Sequence, residues 1–362
     1  MVVKKMPEIP RITVIIPTYN RVSSLEMTLL SIFQQTVKVC EIITVDDGST
    51  DDTAEMINRL RVEYPDWAAR LVYVYQSNQG KSVALNTGLE HVTGDWIAYN
   101  DSDDLWCPEK LQRQLCVLTR HPECGLCYSA VQFGSSDWCS EKGFHVAKET
   151  GVTEGGRLVN AQSLMAQLSH GVYMQTVMVR RSVMNAIGGF DPVMRVAQDV
   201  DFLFRASLHT EFCYLNQPLV RIDRHPHRAC NRLTGRFPID GITRLTLHEY
   251  MFNKWLGLLD PDSILLRTII TQRRDSTRSA LANHYIRQNE RRAARLTLER
   301  ALSDSIQLRF VIKWLLVLLV PQQVLARWRV FGSDKRRRLK ECTLTMNDEE
   351  KYLATSVFRS EQ

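Results

Sequence analysis

Four short apolar runs constrain this chain more than anything else in it. Residues 12–16 (ITVII), 41–45 (EIITV), 71–75 (LVYVY) and 95–99 (DWIAY) are each one strand long and rich in β-branched or aromatic side chains. Between them the period changes. Residues 24–34 put Leu25, Thr28, Leu29 and Ile32 at helical spacing, a second helix starts near Thr53 with Asp51 or Asp52 as its cap, and a third covers 82–90. Strands alternating with helices predict βαβ units and an α/β fold with a mostly parallel, doubly wound sheet.

In such a sheet, ligands bind beyond the carboxyl ends of the strands. Every run here ends in polar residues. Thr18, Tyr19, Asn20 and Arg21 follow the first, Asp46 and Asp47 the second, Gln79-Gly80-Lys81 the third, and Asp101, Ser102, Asp103 and Asp104 the fourth. Three carboxylates in four residues repel one another. A hard divalent cation such as Mg²⁺ or Mn²⁺ removes that repulsion and keeps coordination positions open for phosphate oxygens. The competing reading is a polar turn in which Asp104 caps the next helix. Taken together, the four strand ends match a nucleoside diphosphate held with a metal. Neither GxGxxG after the first run nor GxxxxGK[ST] occurs, so a dinucleotide fingerprint and a P-loop are both unsupported.

The second stretch is looser. Leu111, Leu115 and Leu118 continue a helix, 126–131 reads as a strand, 173–180 (YMQTVMVR) as another, and 182–187 as a helix before the turn Gly188-Gly189-Phe190-Asp191-Pro192. Gln198-Asp199-Val200-Asp201 then opens an amphipathic helix carrying Phe202, Leu203, Phe204 and Ala206. Acidic residues at a helix start can simply complement its dipole.

Composition narrows the class. At 362 residues, 44% hydrophobic and 24% charged, the chain is globular rather than disordered or fibrous. Nine cysteines lack a framework spacing, and Cys124 and Cys127 form a lone CxxC without a second pair, so zinc is not expected and reduced cytoplasmic thiols are. The first residues lack the apolar core of a signal peptide. No run reaches the roughly 18 apolar residues of a spanning helix.

Past about residue 236 the strand pattern stops. Residues 248–259 and 261–274 read as helices and 279–303 as a helical hairpin, while 310–320 (FVIKWLLVLLV) is apolar except for Lys313. Trp328 stands among arginines, and Lys335–Arg338 is a basic cluster within a net charge of +6. A short apolar helix with such flanks suits the surface of an anionic membrane, against the alternative of burial in the protein or a dimer interface. No aromatic-interleaved basic patch accompanies the charge, so nucleic acid is not expected as a partner.

Four motifs in order, ITVIIPTYNR, IITVDDGSTDDT, NQGKSVALNTGL with GDWIAYNDSDDLW, and GGFDPVMRVAQDVDF, resemble glycosyltransferase family 2 over roughly residues 11–224. The resemblance implies a GT-A fold, a Rossmann-like, mostly parallel mixed sheet, with a C-terminal helical extension. It implies a catalytic domain over 1–235, with a nucleotide-sugar half at 1–107 and an acceptor half at 108–235. Composition, rather than the resemblance, places a helical, basic region at 236–362, carrying the amphipathic segment 310–330. The resemblance further implies inverting transfer of a sugar from a nucleoside-diphosphate sugar, with UDP the commonest carrier, to a hydroxyl of a lipid-linked or growing glycan in cell-surface polysaccharide synthesis. The enzyme would be cytoplasmic, peripheral at the inner face of the plasma membrane.

In that scheme Pro17, Thr18, Tyr19 and Arg21 border the nucleoside, and Asp46 or Asp47 bonds the base. Lys81 lies near the donor's phosphate or base side, with Asp101 and Ser102 completing the donor side. Asp101 and Asp103 hold Mn²⁺ or Mg²⁺, with Asp103 the direct ligand and Asp104 supporting. Asp199 is the general base, with Asp201 and Asp191 next in line, and His225 or His227 assists the leaving group. The family usually has Glu-Asp where this chain has Gln198-Asp199. A nucleotidyltransferase would need a glycine-rich basic loop after the first strand, which is missing, and an inactive nucleotide-sugar-binding scaffold has only Gln198 in its favour.

Overall fold

The computed structural model describes residues 10–133, 155–167, 171–222, 240–304 and 307–320. His225, His227, residues 321–330 of the expected amphipathic segment and the basic cluster at 335–338 lie outside them. The chain forms two compact units, 1–238 and 239–362.

In the first unit, β1 (Ile12–Thr18) runs parallel to β2 (Glu41–Asp47) and β4 (Trp96–Tyr99), and β2 runs parallel to β3 (Leu71–Gln76). Helices α1 (Val22–Phe33), α2 (Thr53–Glu63), the single turn α3 (Pro65–Ala68) and α4 (Lys81–Glu90) connect them. Strand residues alternate between two faces. Ile12, Val14 and Ile16 of β1 and Ile42 of β2 pack with Leu25 and Leu29 of α1 and with Ile57 and Leu60 of α2. On the other side Ile43 and Val45 meet Ala84 of α4. Gly88 lets that helix lie close, since a Cβ there would stand 2.6 Å from Ile15 Cγ2. Apolar contact on both faces explains why these strands read as continuous hydrophobic runs.

The sheet continues past β4 through β8 (Met178–Arg180), β6 (Cys124–Phe133), β9 (Glu211–Ile222) and β5 (Asp104–Trp106), with β7 (Gly156–Arg157) pairing to β9. β8 is antiparallel to both β4 and β6, β6 and β9 are parallel, and β5 is antiparallel to β9, which makes the sheet mixed. Helices α5 (Lys110–Arg120), α6 (Ala161–Ala166), α7 (Arg181–Ile187) and α8 (Gln198–Ser207) are the remaining α-helices among the unit's described residues.

Two expectations need correcting, and one strand is new. Asp104 does not cap a helix: it begins β5, and the following helix starts only at Lys110 behind Glu109. The run 173–180 is not one strand but a 3-10 turn over Met174–Thr176 followed by β8. β9 has no counterpart in the sequence reading, because Asn216-Gln217-Pro218 looks like a turn. The β6–β9 pairing shifts register between Ser129 and Ala130, opposite Leu215 and Pro218, and this irregularity absorbs the proline within a strand.

The described residues of the second unit form four helices: α9 (Gly241–Leu258), α10 (Ile264–Arg287), α11 (Arg291–Asp304) and α12 (Leu308–Leu319). The helix expected to stop at 274 continues to Arg287, and the one before it begins at Gly241, where the Asp240 carboxylate accepts from Thr243 N at 2.8 Å. Ala282, Ala294, Leu298, Ala301, Phe310 and Val317 form its small core. Arg278 is buried between Glu249 and Asp304, at 2.7 and 2.6 Å. Along α12, Leu308, Ile312, Leu315 and Leu319 face outward as an exposed apolar stripe. Among the described residues, no helix is long and apolar enough to cross a membrane.

Candidate active site

The loops at the carboxyl ends of β1 and β2 are sewn together by their own polar residues. Asn20, in the left-handed region at φ 50°, receives Thr50 N on its Oδ1 at 2.7 Å and donates its own N–H to Ser49 Oγ at 2.9 Å. Val22 N donates to Asp51 Oδ2 at 3.1 Å, which ties the start of α1 to the second loop. Asp46 accepts from Ser49 N at 2.7 Å and from Tyr73 OH at 2.6 Å; burial and this carboxylate push the Tyr73 phenol well up. Asp47 accepts from Gln76 Nε2, Gln79 N and Gly80 N, all between 2.7 and 2.8 Å, and so fixes the loop that leads to Lys81. Both carboxylates are almost fully buried. Pro17 and Tyr19 are half-buried beside them, and the buried Thr18 hydroxyl has no hydrogen-bond partner among the described residues.

At the end of β4, carboxylate oxygens of Asp101, Asp103 and Asp104 all lie within 4.8 Å of one another. The turn is built from backbone: Asn100 N donates to Ile15 O, extending the β1–β4 ladder, and Asn100 Nδ2 and Thr28 Oγ1 both donate to Asp104 O. Ser102 is buried within it. Each partly exposed carboxylate faces a cation. Arg21 Nη1 pairs with Asp103 Oδ2, and Lys81 Nζ lies 2.5 Å from Asp101 Oδ1. Burial works against the charge on Lys81, but Asp101, Asp199 and Asp103 outweigh it and raise its pKa. Asp104 is different. It is buried, accepts from Gln175 Nε2 at 2.6 Å, and burial with the charges of Asp101 and Asp103 pushes its carboxyl well up.

Asp199 reaches this cluster from α8, nearly a hundred residues away. Its carboxyl is raised by burial, lowered in part by Lys81, and raised again by Asp101, so it shares the electrostatic field of the β4 turn. Helix α4 holds the loop in front of it. Ser82 Oγ donates to Met194 O at 2.7 Å, and Asn86 makes a reciprocal pair with Phe190, Nδ2 to O and N to Oδ1, both 2.8 Å. Gly189, at φ 80°, leaves room for that contact, because a Cβ would sit 2.7 Å from Asn86 Oδ1. Ala197 precedes α8 at φ 56°, an uncommon conformation for a residue with a Cβ.

Asp201 is removed from the candidates for a base: it is fully buried and bonded to Arg205 Nε at 2.8 Å. Asp191 accepts from Val193 N at 3.0 Å in the turn. Gln198 is half-buried at the start of α8.

Residues 13–185 match the family described as Glycosyl transferase family 2. The chain carries a family 2 glycosyltransferase domain. An uncharacterised glycosyltransferase of Nostoc sp. is 41% identical over 103 residues, covering 28% of this chain and 31% of that protein. One from Haemophilus influenzae is 27% identical over 220 residues, 60% of this chain and 70% of the relative. The crystal structure of S. aureus TarS 1–349 in complex with UDP-GlcNAc superimposes with a TM-score of 0.58 at 16% identity, covering 85% of this chain and 79% of that one. The mannosyltransferase PcManGT from Pyrobaculum calidifontis, in complex with GDP-Man and Mn²⁺, gives 0.52 at 20% identity over 90% and 85%. The fold is GT-A, and the enzyme is a transferase.

Sequence reasoning singled out the acidic and basic residues of the transferase but not the amides that hold them. Asn86 stood inside the NQGKSVALNTGL motif, five residues after Lys81, but nothing in the motif points to its partner 104 positions away. Gln175 gave no signal either, because its partner lies on a strand 71 positions away.

Proposed function

We propose that this transferase moves a sugar from a nucleoside-diphosphate sugar, with UDP as the first carrier to test, to a hydroxyl of a lipid-linked or growing glycan, with inversion at the anomeric carbon. The observation that carries the reading is the meeting of separate strand ends at one acidic turn: Arg21 pairs with Asp103 and Lys81 with Asp101, beside carboxylates of Asp101, Asp103 and Asp104 that lie within 4.8 Å of one another. Complexes of structural neighbours with UDP-GlcNAc and with GDP-Man and Mn²⁺ support the donor class.

The donor set of the β4 turn is all oxygen and suits Mg²⁺ or Mn²⁺. Asp101 and Asp103 would hold it, with Asp104 bracing the turn through Gln175. When bound, the ion supplies Lewis-acid stabilisation of the charge that develops on the leaving diphosphate. Lys81 and Arg21 stand beside the same carboxylates and add positive charge at that place. The acceptor hydroxyl must lose its proton as the new bond forms. Asp199 would take it, a role typically worth about 10²–10⁴-fold in rate. Thr18, whose buried hydroxyl has no partner among the described residues, and the flanking Pro17 and Tyr19 would border the nucleoside, with Asp46 or Asp47 at the base.

A surface-polysaccharide role, and peripheral attachment to the cytoplasmic leaflet through the exposed stripe of α12, complete the proposal. Calorimetric titration with UDP-, GDP- and dTDP-sugars in the presence of Mn²⁺ tests it: one nucleotide series binds, and no binding to any of them refutes the reading. Binding without turnover on any acceptor would favour an inactive scaffold.

A further inference from the structure

The carboxylates that would hold the metal each carry a protein cation already, and those two cations come from two different strand ends. Arg21 leaves the β1 loop to reach Asp103, and Lys81 opens α4 to reach Asp101. Among the described residues neither cation has another ion-pair partner. The pairs are only partly open to solvent, with side-chain exposures of 11% and 31% for Arg21 and Asp103 and 21% and 30% for Lys81 and Asp101, so water screens them incompletely.

The charges of the four groups sum to zero. A divalent ion on Asp101 and Asp103 adds two positive charges and competes with both cations for the same oxygens. The diphosphate of a donor adds about two negative charges. Each ligand alone therefore shifts the charge around these four groups by about two, and the two together cancel.

We infer that Arg21 and Lys81 are exchangeable counter-ions, which neutralise Asp101 and Asp103 before loading and transfer to the donor diphosphate when a divalent cation takes the carboxylates. The inference rests on the proposed donor and metal, and it deepens that reading by assigning these two residues a change of partner. Metal and donor then bind with mutual reinforcement, the same factor in both directions, roughly 5- to 150-fold for couplings of ordinary size.

The test is Mn²⁺ alone, titrated calorimetrically and by Mn²⁺ electron paramagnetic resonance into wild type, Lys81→Met, Arg21→Gln, Lys81→Arg and Asp103→Asn, each checked for folding by its melting curve. Removing a competing cation should tighten Mn²⁺ binding in Lys81→Met and in Arg21→Gln by roughly five- to tenfold, while Lys81→Arg stays at the wild-type value. Either neutral variant carries the test if the other does not fold. Unchanged or weaker binding in these variants overturns the exchange and leaves sugar transfer standing. Retention of full affinity in Asp103→Asn also overturns it, since the ion would then lie elsewhere. No Mn²⁺ binding to any of the proteins, wild type included, would overturn the metal part of the proposed function together with the exchange.

Discussion

Asn86 makes no expected contact with substrate, yet it holds the loop that leads to Asp199, the proposed base. Its side chain satisfies both backbone groups of Phe190, a residue only 2% exposed, through two hydrogen bonds of 2.8 Å. Asn86→Ala leaves a buried N–H and a buried C=O without partners, each worth about 1–3 kcal/mol, or about 2–4 kcal/mol together if the loop relaxes in part. For a domain of this size that corresponds to a fall in Tm of roughly 5–15 °C. The same loop leads into Ala197 and Asp199, so the base loses its position. A displacement of about 1 Å costs on the order of 10²-fold in kcat. Lys81 and the β4 turn are untouched, so KM for the donor should change little. Asn86→Asp is the sharper probe: it keeps the acceptor for Phe190 N but turns an oxygen toward Phe190 O, and its defect should ease as the pH is lowered and the carboxyl takes up a proton. Thermal melts and steady-state donor turnover for the two variants read this out. An Asn86→Ala protein that melts within a degree of wild type with kcat intact refutes the reasoning.

Further outcomes follow from the same geometry. Asp199 must be ionised to accept a proton, and burial raises its pKa in the free enzyme, so the acid limb of the kcat/KM profile should lie above the ordinary carboxylate range near about 4. Lys81→Met removes the charge that holds that pKa down and should move the limb higher still; a limb that moves down or stays contradicts the assignment. Lys110 is buried, lies 3.9 Å from the Trp106 ring, and burial pushes its pKa down to about 7. The unfolded chain, with a lysine near about 10.4, binds the extra proton in between, so this residue makes stability rise with pH from about 7 upward. Lys110→Met should flatten that slope in denaturant titrations at pH 7 and pH 9 and be the more stable protein at the lower value. On α12, Ile312→Glu with Leu315→Glu should abolish co-sedimentation with anionic lipid vesicles, and sedimentation equal to wild type would count against attachment through that stripe.

The parallel half of the sheet was readable because each of its strands is apolar on both faces and stops at polar residues, so period and punctuation agree. The same local signals misled at Asp104, where an acid before a helix-like segment reads as a cap, while the deciding contact, Gln175, is contributed by a distant turn. β9 was hidden by Asn216-Gln217-Pro218, which only a register shift against β6 turns into strand. Asp199 and Asp201 are equivalent as letters. The i to i+4 position of Arg205 was a legible hint that Asp201 is the paired one. What sequence could not supply is the hold of α4 on the loop before Asp199, because hydrogen bonds across 104 positions leave no local trace.

The central claim is transfer from a nucleoside-diphosphate sugar that needs both the β4 carboxylates and Asp199. The most direct measurement is release of free nucleoside diphosphate from UDP-, GDP- and dTDP-sugars, with a glycan acceptor supplied, with Mn²⁺ or with chelator, by wild type, Asp103→Asn and Asp199→Asn. The account expects release from one nucleotide series that is lost with chelator and in Asp103→Asn, and a loss of about 10²–10⁴-fold in Asp199→Asn with donor binding retained. Release that proceeds undiminished in chelator and in both variants would contradict it.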